Sequence, residues 1–166
     1  PRMCTVVAVV DPQLGPVRVM TTHLEFYSKK QRMAQAQALR SLHAQYEGQA
    51  LAPPQQSDDG SPFQTKVHTT QGILCGAFNL EPTDPEYPVL VDPASPGRLW
   101  DSWRLLHGAQ PHAPTFRLYD RRYGPEPVAC DFVFVSDALK DRVKHLAIDA
   151  ATQASDHQPV LVELRS

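Results

Sequence analysis

The sequence predicts a layered α/β protein of the α+β type, with mixed sheets, and three observations carry that prediction. Short β-branched and aromatic runs recur along the 166 residues. The first two, Cys4 to Val10 and Val17 to Thr22, are separated only by "DPQLGP", which reads as a hairpin turn. Helical and strand-like patterns then alternate to the last residues, so hairpins and crossovers occur in one chain.

Composition sets the frame. A chain that is 42% hydrophobic and 20% charged has enough apolar residues for a sizeable core, and residues 1–166 read as a single domain. The formal net charge of −2 gives no basic field, so a nucleic-acid partner has to be held by a local patch or by a metal. Cys4, Cys75 and Cys130 are odd in number and have no CxxC spacing. That speaks against a disulfide framework and a zinc knot, and for buried thiols in a reducing, cytoplasmic setting. No run approaches the roughly 18 apolar residues of a membrane span. The chain starts at Pro1 and enters a strand almost at once, with Val6, Val7, Ala8, Val9 and Val10 apolar on both faces. Such a strand calls for neighbours on both sides, and the expectation is a fragment whose N-terminal part is missing.

In order along the chain, Pro12 and Gly15 mark the first turn, and Val17, Val19 and Thr21 alternate with Arg18, Met20 and Thr22 until the strand ends at His23. Ser28 and Gln31 make a capping box, and Met33, Ala36, Leu39, Leu42 and Tyr46 form one helix face that should stop at Gly48. Residues 52–66, "APPQQSDDGSPFQTK", read as a surface loop. A strand follows from Gly72 to Gly76, and Asp84 and Pro85 look like the cap and first position of a short helix. Trp100, Trp103 and Leu106 at helical spacing predict a helix over 99–107 with its aromatics in the core. Residues 119–129 are a polar loop, "CDFVFVS" is a strand, 139–143 a weak helix, 145–150 a strand, and "PVLVELR" a closing strand.

Four polar clusters stand at strand ends: "TTHLE" with His23, "GAFN" with Asn79, "CDFVFVS" with Asp131, and "ASDHQPV" with Asp156 and His157. Together they suggest one convergent pocket. A carboxylate beside an imidazole can place the first on a hard cation while the second works on a reacting phosphate or carbonyl, and Asp131 could orient that imidazole. The oxygen-rich set favours Mg²⁺ or Mn²⁺ over zinc. A serine nucleophile at Ser136 or Ser155 lacks a GxSxG elbow.

The ordered set "TTHLEFYSKKQRMAQ", "GAFNLEP", "APTFR", "CDFVFVS" and "SDHQPVLVEL" resembles the endonuclease/exonuclease/phosphatase superfamily, the DNase I-like metal-dependent phosphodiesterases, from about residue 5 to the C-terminus. The resemblance implies a bacterial source, a two-sheet α/β sandwich incomplete at its N-terminus, a Mg²⁺ or Mn²⁺ site, and phosphoester hydrolysis by in-line water. It implies His23 on the scissile phosphate, Asn79 holding nucleophile and phosphate, Asp131 paired with His157, Asp156 on the metal, and His157 polarising the phosphate or acting as acid/base. Two departures stand out. Ala77 occupies the place of an expected aspartate, and the family's first third, with a metal-binding Glu, has no counterpart. The implied partner is a phosphodiester, nucleic acid or small phosphoester. In the loop over 119–129 and just before it, Arg117, Arg121 and Arg122 are candidate phosphate contacts, with a solvated loop the better reading of the last two. A non-catalytic phosphate-binding module is the alternative.

Overall fold

The computed structural model describes residues 2–55, 59–60 and 67–166. Strands β1 (Cys4–Asp11) and β2 (Gly15–His23) pair antiparallel with Asp11 opposite Gly15. The turn is closed by the Asp11 carboxylate, which accepts the Gln13 and Leu14 N–H groups at 2.8 Å. Helix α1 (Lys29–Leu51) carries the chain across to β3 (Gly72–Ala77), which runs parallel to β2. Helix α2 (Glu86–Val91), strand β4 (Leu99–Asp101), helix α3 (Ser102–His107), strand β5 (Asp131–Ser136), a 3₁₀ turn (Lys140–Arg142) and the hairpin β6 (Val143–Ile148) and β7 (Val160–Leu164) complete the described elements. The larger sheet has the order β1-β2-β3-β5-β4; β6 and β7 form a second, two-stranded sheet.

Each face of the larger sheet has its own apolar cluster. Met20, Leu74, Phe132 and Phe134 pack beneath Ala36 and Leu39 of α1 and Leu90 of α2, with Phe78 edge-on to both Phe132 and Phe134. On the opposite face Val17 and Val135 meet Leu139 and Val143, with Val162 and Leu164 of the second sheet against them. Buried polar groups on α1 complete its attachment. Arg32 donates to Glu86 at 3.1 Å, joining α1 to α2, and to the Phe26 carbonyl at 3.2 Å. Arg18 donates to the Thr69 carbonyl and Glu47 and lies 3.1 Å from His43 Nδ1.

Several elements differ from the sequence reading. Helix α1 does not stop at Gly48, which has no positive φ; its carbonyl accepts the Ala52 N–H, and the helix ends there. A glycine costs a helix only about 1 kcal/mol, which a long packed helix tolerates. Ser28 caps the other end as expected, accepting from the Gln31 N–H. Helix α2 begins one residue late, after Pro85, because the Asp84 carboxylate turns back to the Glu81 N–H. Residues 99–101 are strand, not helix: they pair with Ser136, Val135 and Phe134, and Asp101 then caps α3 by accepting the Trp103 N–H. Trp103 stacks on His107 and His112 and is only half-buried, while Leu106 is exposed. Val143, placed at a helix end by its sequence, opens β6.

Strand β1 is an edge of its sheet, and Val7, Val9 and Val10 are exposed, so the expected cover on both faces is not found among the described residues. Of the loop expected over 52–66, residues 56–58 and 61–66 lie outside the described residues. Among the described residues no helix is long and apolar enough to cross a membrane.

Candidate phosphate cleft

Sheet register places three of the singled-out positions in one row. His23 at the end of β2 is opposite Ala77 at the end of β3, and Ala77 is opposite Asp131 at the start of β5. Partners directly opposite point to the same face, so all three present their side chains together. Backbone bonds carry the ladder one step further, Leu24 N–H to the Ala77 carbonyl and Phe78 N–H to the Cys130 carbonyl. Gly76 lets β3 come this close: its φ is 141°, and a Cβ there would run into the Thr22 carbonyl oxygen.

Beyond the row, Asn79 turns the chain with φ 53°, a left-handed conformation that asparagine tolerates. Its Nδ2 donates to the Leu24 carbonyl at 2.8 Å, tying the loop after β2 to the loop after β3. Residues 115–117 and 156–158 are joined by backbone bonds, Gln158 N–H to the Thr115 carbonyl at 2.7 Å and Arg117 N–H to the Asp156 carbonyl at 3.0 Å. That pairing delivers Asp156 and His157 to the row.

His157 Nδ1 lies 2.9 Å and 3.0 Å from the two Asp131 oxygens. A carboxylate can only accept, so Nδ1 carries the proton and Nε2 is the nitrogen left for a substrate. The bond to Asp131 raises the His157 pKa, against a smaller opposing effect of burial, with the nearby Asp131 and Asp156 charges adding to the rise. His23 moves the other way, lowered first by burial and then by Arg2 and His157. Two imidazoles of one cleft are thus pushed towards opposite protonation states.

One residue that the sequence reading passed over inside "APTFR" holds this arrangement. Thr115 is fully buried; its hydroxyl donates to Asp131 at 2.7 Å and accepts the Cys130 and Asp131 N–H groups at 3.1 Å. A threonine in a loop carries no signal for such a role.

His23, Asn79, Asp156 and His157 line one cleft of about 260 Å³, together with Arg2. Arg117 lines an adjoining hollow that shares Asn79 and Phe116 with the cleft, and its guanidinium is engaged by the Tyr123 carbonyl at 2.6 Å. Arg121 and Arg122 stay on the exposed loop, Arg122 paired with Asp120. Ser136 is fully buried and accepts the Gly72 N–H, and Ser155 is exposed.

Cys130, Asp131 and His157 present ligand atoms within 4.8 Å of one another. Their hydrogen bonds, however, already engage both Asp131 oxygens, and burial pushes the Cys130 thiol well above its usual pKa, against the thiolate a metal would need. Asp156 stands outside this trio and lines the same cleft as Asn79; a carboxylate and an amide oxygen are hard donors of the kind that suit Mg²⁺ or Mn²⁺.

No family model matches the sequence, and no curated protein matches it. Solved structures do. An endonuclease/exonuclease/phosphatase family protein from Bacteroides thetaiotaomicron superposes with a TM-score of 0.66 at 23% identity, over 99% of this chain and 54% of that one. The fold is that of the endonuclease/exonuclease/phosphatase proteins. A mannosyl-6-phosphatase from the same organism gives a TM-score of 0.59 at 24% identity, over 100% of this chain and 58% of that one. The 3′ phosphatase NExo from Neisseria, bound to a product DNA hairpin, gives 0.59 at 20% identity, over 97% and 65%. The chain therefore spans between about half and two thirds of the length of these endonuclease/exonuclease/phosphatase-fold structures. The DNase I-like α/β sandwich expected from the sequence is the fold observed.

Proposed function

We propose that this chain is part of a metal-dependent phosphoester hydrolase of the nuclease/phosphodiesterase type, and that Ala77 leaves it slow or inactive. The observation that carries the reading is the Asp131–His157 pair opening onto a cleft shared with His23 and Asn79. Structures of the same fold that are phosphatases and nucleases support the reaction class. A protonated His157 would donate from Nε2 to a non-bridging phosphate oxygen, and Asp131 would stabilise the positive charge. His23, kept nearer neutrality, and Asn79 would fix the phosphate for in-line attack. A bound Mg²⁺ or Mn²⁺, held by Asp156 with the Asn79 amide oxygen and water, would supply charge neutralisation on the phosphate. Position 77, between His23 and Asp131, would carry the carboxylate that takes a proton from the attacking water; an alanine cannot.

The partner is a phosphodiester, with the remainder of a longer domain contributing further metal ligands, and the free cysteines support a cytoplasmic location. Ala77 also favours a second reading, a pseudo-enzyme that binds phosphate without hydrolysing it. Titration with inorganic phosphate, followed by NMR of the imidazoles, tests the shared part. His23 and His157 should both shift at millimolar phosphate, and His157→Ala should weaken binding; no shift at either ring would remove the cleft from both readings.

A further inference from the structure

The walls of the cleft say more about its ligand than the floor does. Phe26 and Tyr27, from the loop after β2, line one part of it, and Phe116 and Tyr123, from the loop before β5, another. Three of these are open to solvent: Phe26 is 43% exposed, Tyr123 57% and Tyr27 88%. Among the described residues no aliphatic side chain lines the cleft. A lipid ester would call for aliphatic cover beside the phosphate, whereas exposed flat rings suit a flat partner.

The aromatics are also held in place. Phe26 and Tyr27 meet edge to face with centroids 5.1 Å apart. Tyr123 lies nearly parallel to Phe116, which itself packs on His157 at 4.4 Å. Its own carbonyl accepts from Arg117. The segment "FRLYDRRY", residues 116–123, interleaves these rings with Arg117, Arg121 and Arg122; Asp120 pairs with Arg122, so the segment keeps a net charge of +2 in a chain whose net charge is −2. The Arg117 and Arg122 guanidiniums lie 5.3 Å and 5.9 Å from the Phe116 and Tyr123 rings. Tyr119, half exposed, is anchored by its hydroxyl on the Ala150 carbonyl. Alternating flat rings and cations is the arrangement that takes successive bases and phosphates of a single strand.

We infer that the ligand of this cleft is a single-stranded nucleic acid, with Tyr27 and Tyr123 stacking the bases on either side of the phosphate that His23 and His157 engage. The inference rests on the phosphate-cleft reading above and adds the bases to it. An aromatic stacking contact is worth between about fivefold and a hundredfold in affinity per base. Losing one tyrosine should therefore be felt only by ligands that have bases.

The test is calorimetric binding at low salt, without metal, of an eight-residue oligothymidylate and of an abasic oligomer of the same length and charge. Mannose 6-phosphate and vesicles of phosphatidylinositol in phosphatidylcholine serve as the other two probes. The oligothymidylate should bind at least about tenfold tighter than the abasic oligomer. Tyr27→Ala and Tyr123→Ala should each erode that preference, Tyr→Trp at either position should keep it, and the abasic oligomer should bind all variants alike. Equal binding of the two oligomers, or an unchanged preference in both alanine variants, overturns the inference and leaves the phosphate cleft standing. Tighter binding of the vesicles or of the sugar phosphate than of the oligothymidylate overturns it in favour of that ligand. Absence of binding by every probe overturns the phosphate cleft as well.

Discussion

His157 Nδ1 sits 2.9 Å from Asp131 Oδ2, and the two residues reach each other from segments with no strand pairing between them, the loop before β7 and the start of β5. The carboxylate stabilises the charged ring, so the His157 pKa lies above its ordinary value. Asp131→Asn should lower it, and an NMR titration of the ring reads this directly. The linkage has a definite sign. A raised folded pKa gives stability that is fully present below the unfolded value near 6.5 and is lost as pH rises through the folded value. Melting temperature should therefore fall across that window in the parent protein, and less so in Asp131→Asn.

Thr115 is predicted to act through Asp131. Thr115→Val removes the hydroxyl that donates to the carboxylate and accepts two backbone N–H groups, whereas Thr115→Ser keeps it. The valine variant should lose about 1 to 3 kcal/mol of stability from the orphaned donors and shift the His157 titration. The serine variant should restore the His157 pKa. If the valine variant unfolds at lower temperature but its His157 titrates as in the parent, Thr115 is structural only.

His43 should make the protein acid-sensitive. It is fully buried against Arg18, and burial, with that cation, lowers its pKa to about 4. The unfolded chain takes up the proton first, so stability falls as pH drops from about 6.5 to about 4 and levels off below, by roughly 3 kcal/mol in all. Chemical denaturation at a series of pH values measures this, and His43→Gln should flatten the curve.

Metal affinity should be poor. With Asp156 the one carboxylate on the cleft wall among the described residues, Mg²⁺ should bind this chain with a dissociation constant on the order of millimolar or weaker. Asp156→Asn should abolish what binding there is. Micromolar affinity by calorimetry would mean that the cation sits elsewhere.

Much of this was readable from the residues because their local chemistry agrees with the fold. Pro12 and Gly15 turn the hairpin, Ser28 caps α1, and His23 ends β2 where the apolar alternation ends. The misreadings have physical causes. Trp100 and Trp103 are three apart, which mimics a helix, but they straddle the junction of β4 and α3. The buried face of α1 includes Arg32 and His43, and a hydrophobic pattern cannot see charged residues that are buried on their partners. Sequence placed the four polar clusters at strand ends, yet only pairing register aligns His23, Ala77 and Asp131 in one row. Tyr27 and Tyr123, far apart in sequence, share a cleft only through the folded loops.

The central claim is that position 77 is where a hydrolytic site lacks its proton acceptor, and Ala77→Asp tests it most directly. In the protein at its full length, with Mg²⁺ or Mn²⁺, hydrolysis of bis-p-nitrophenyl phosphate should rise by about 10² to 10⁴, the usual worth of a general acid or base. Phosphate affinity should change little or fall slightly from the added charge beside Asp131. A parent protein that already turns over as fast as the Ala77→Asp variant would contradict the role given to this position. Binding without turnover in either form would leave only the phosphate-binding reading.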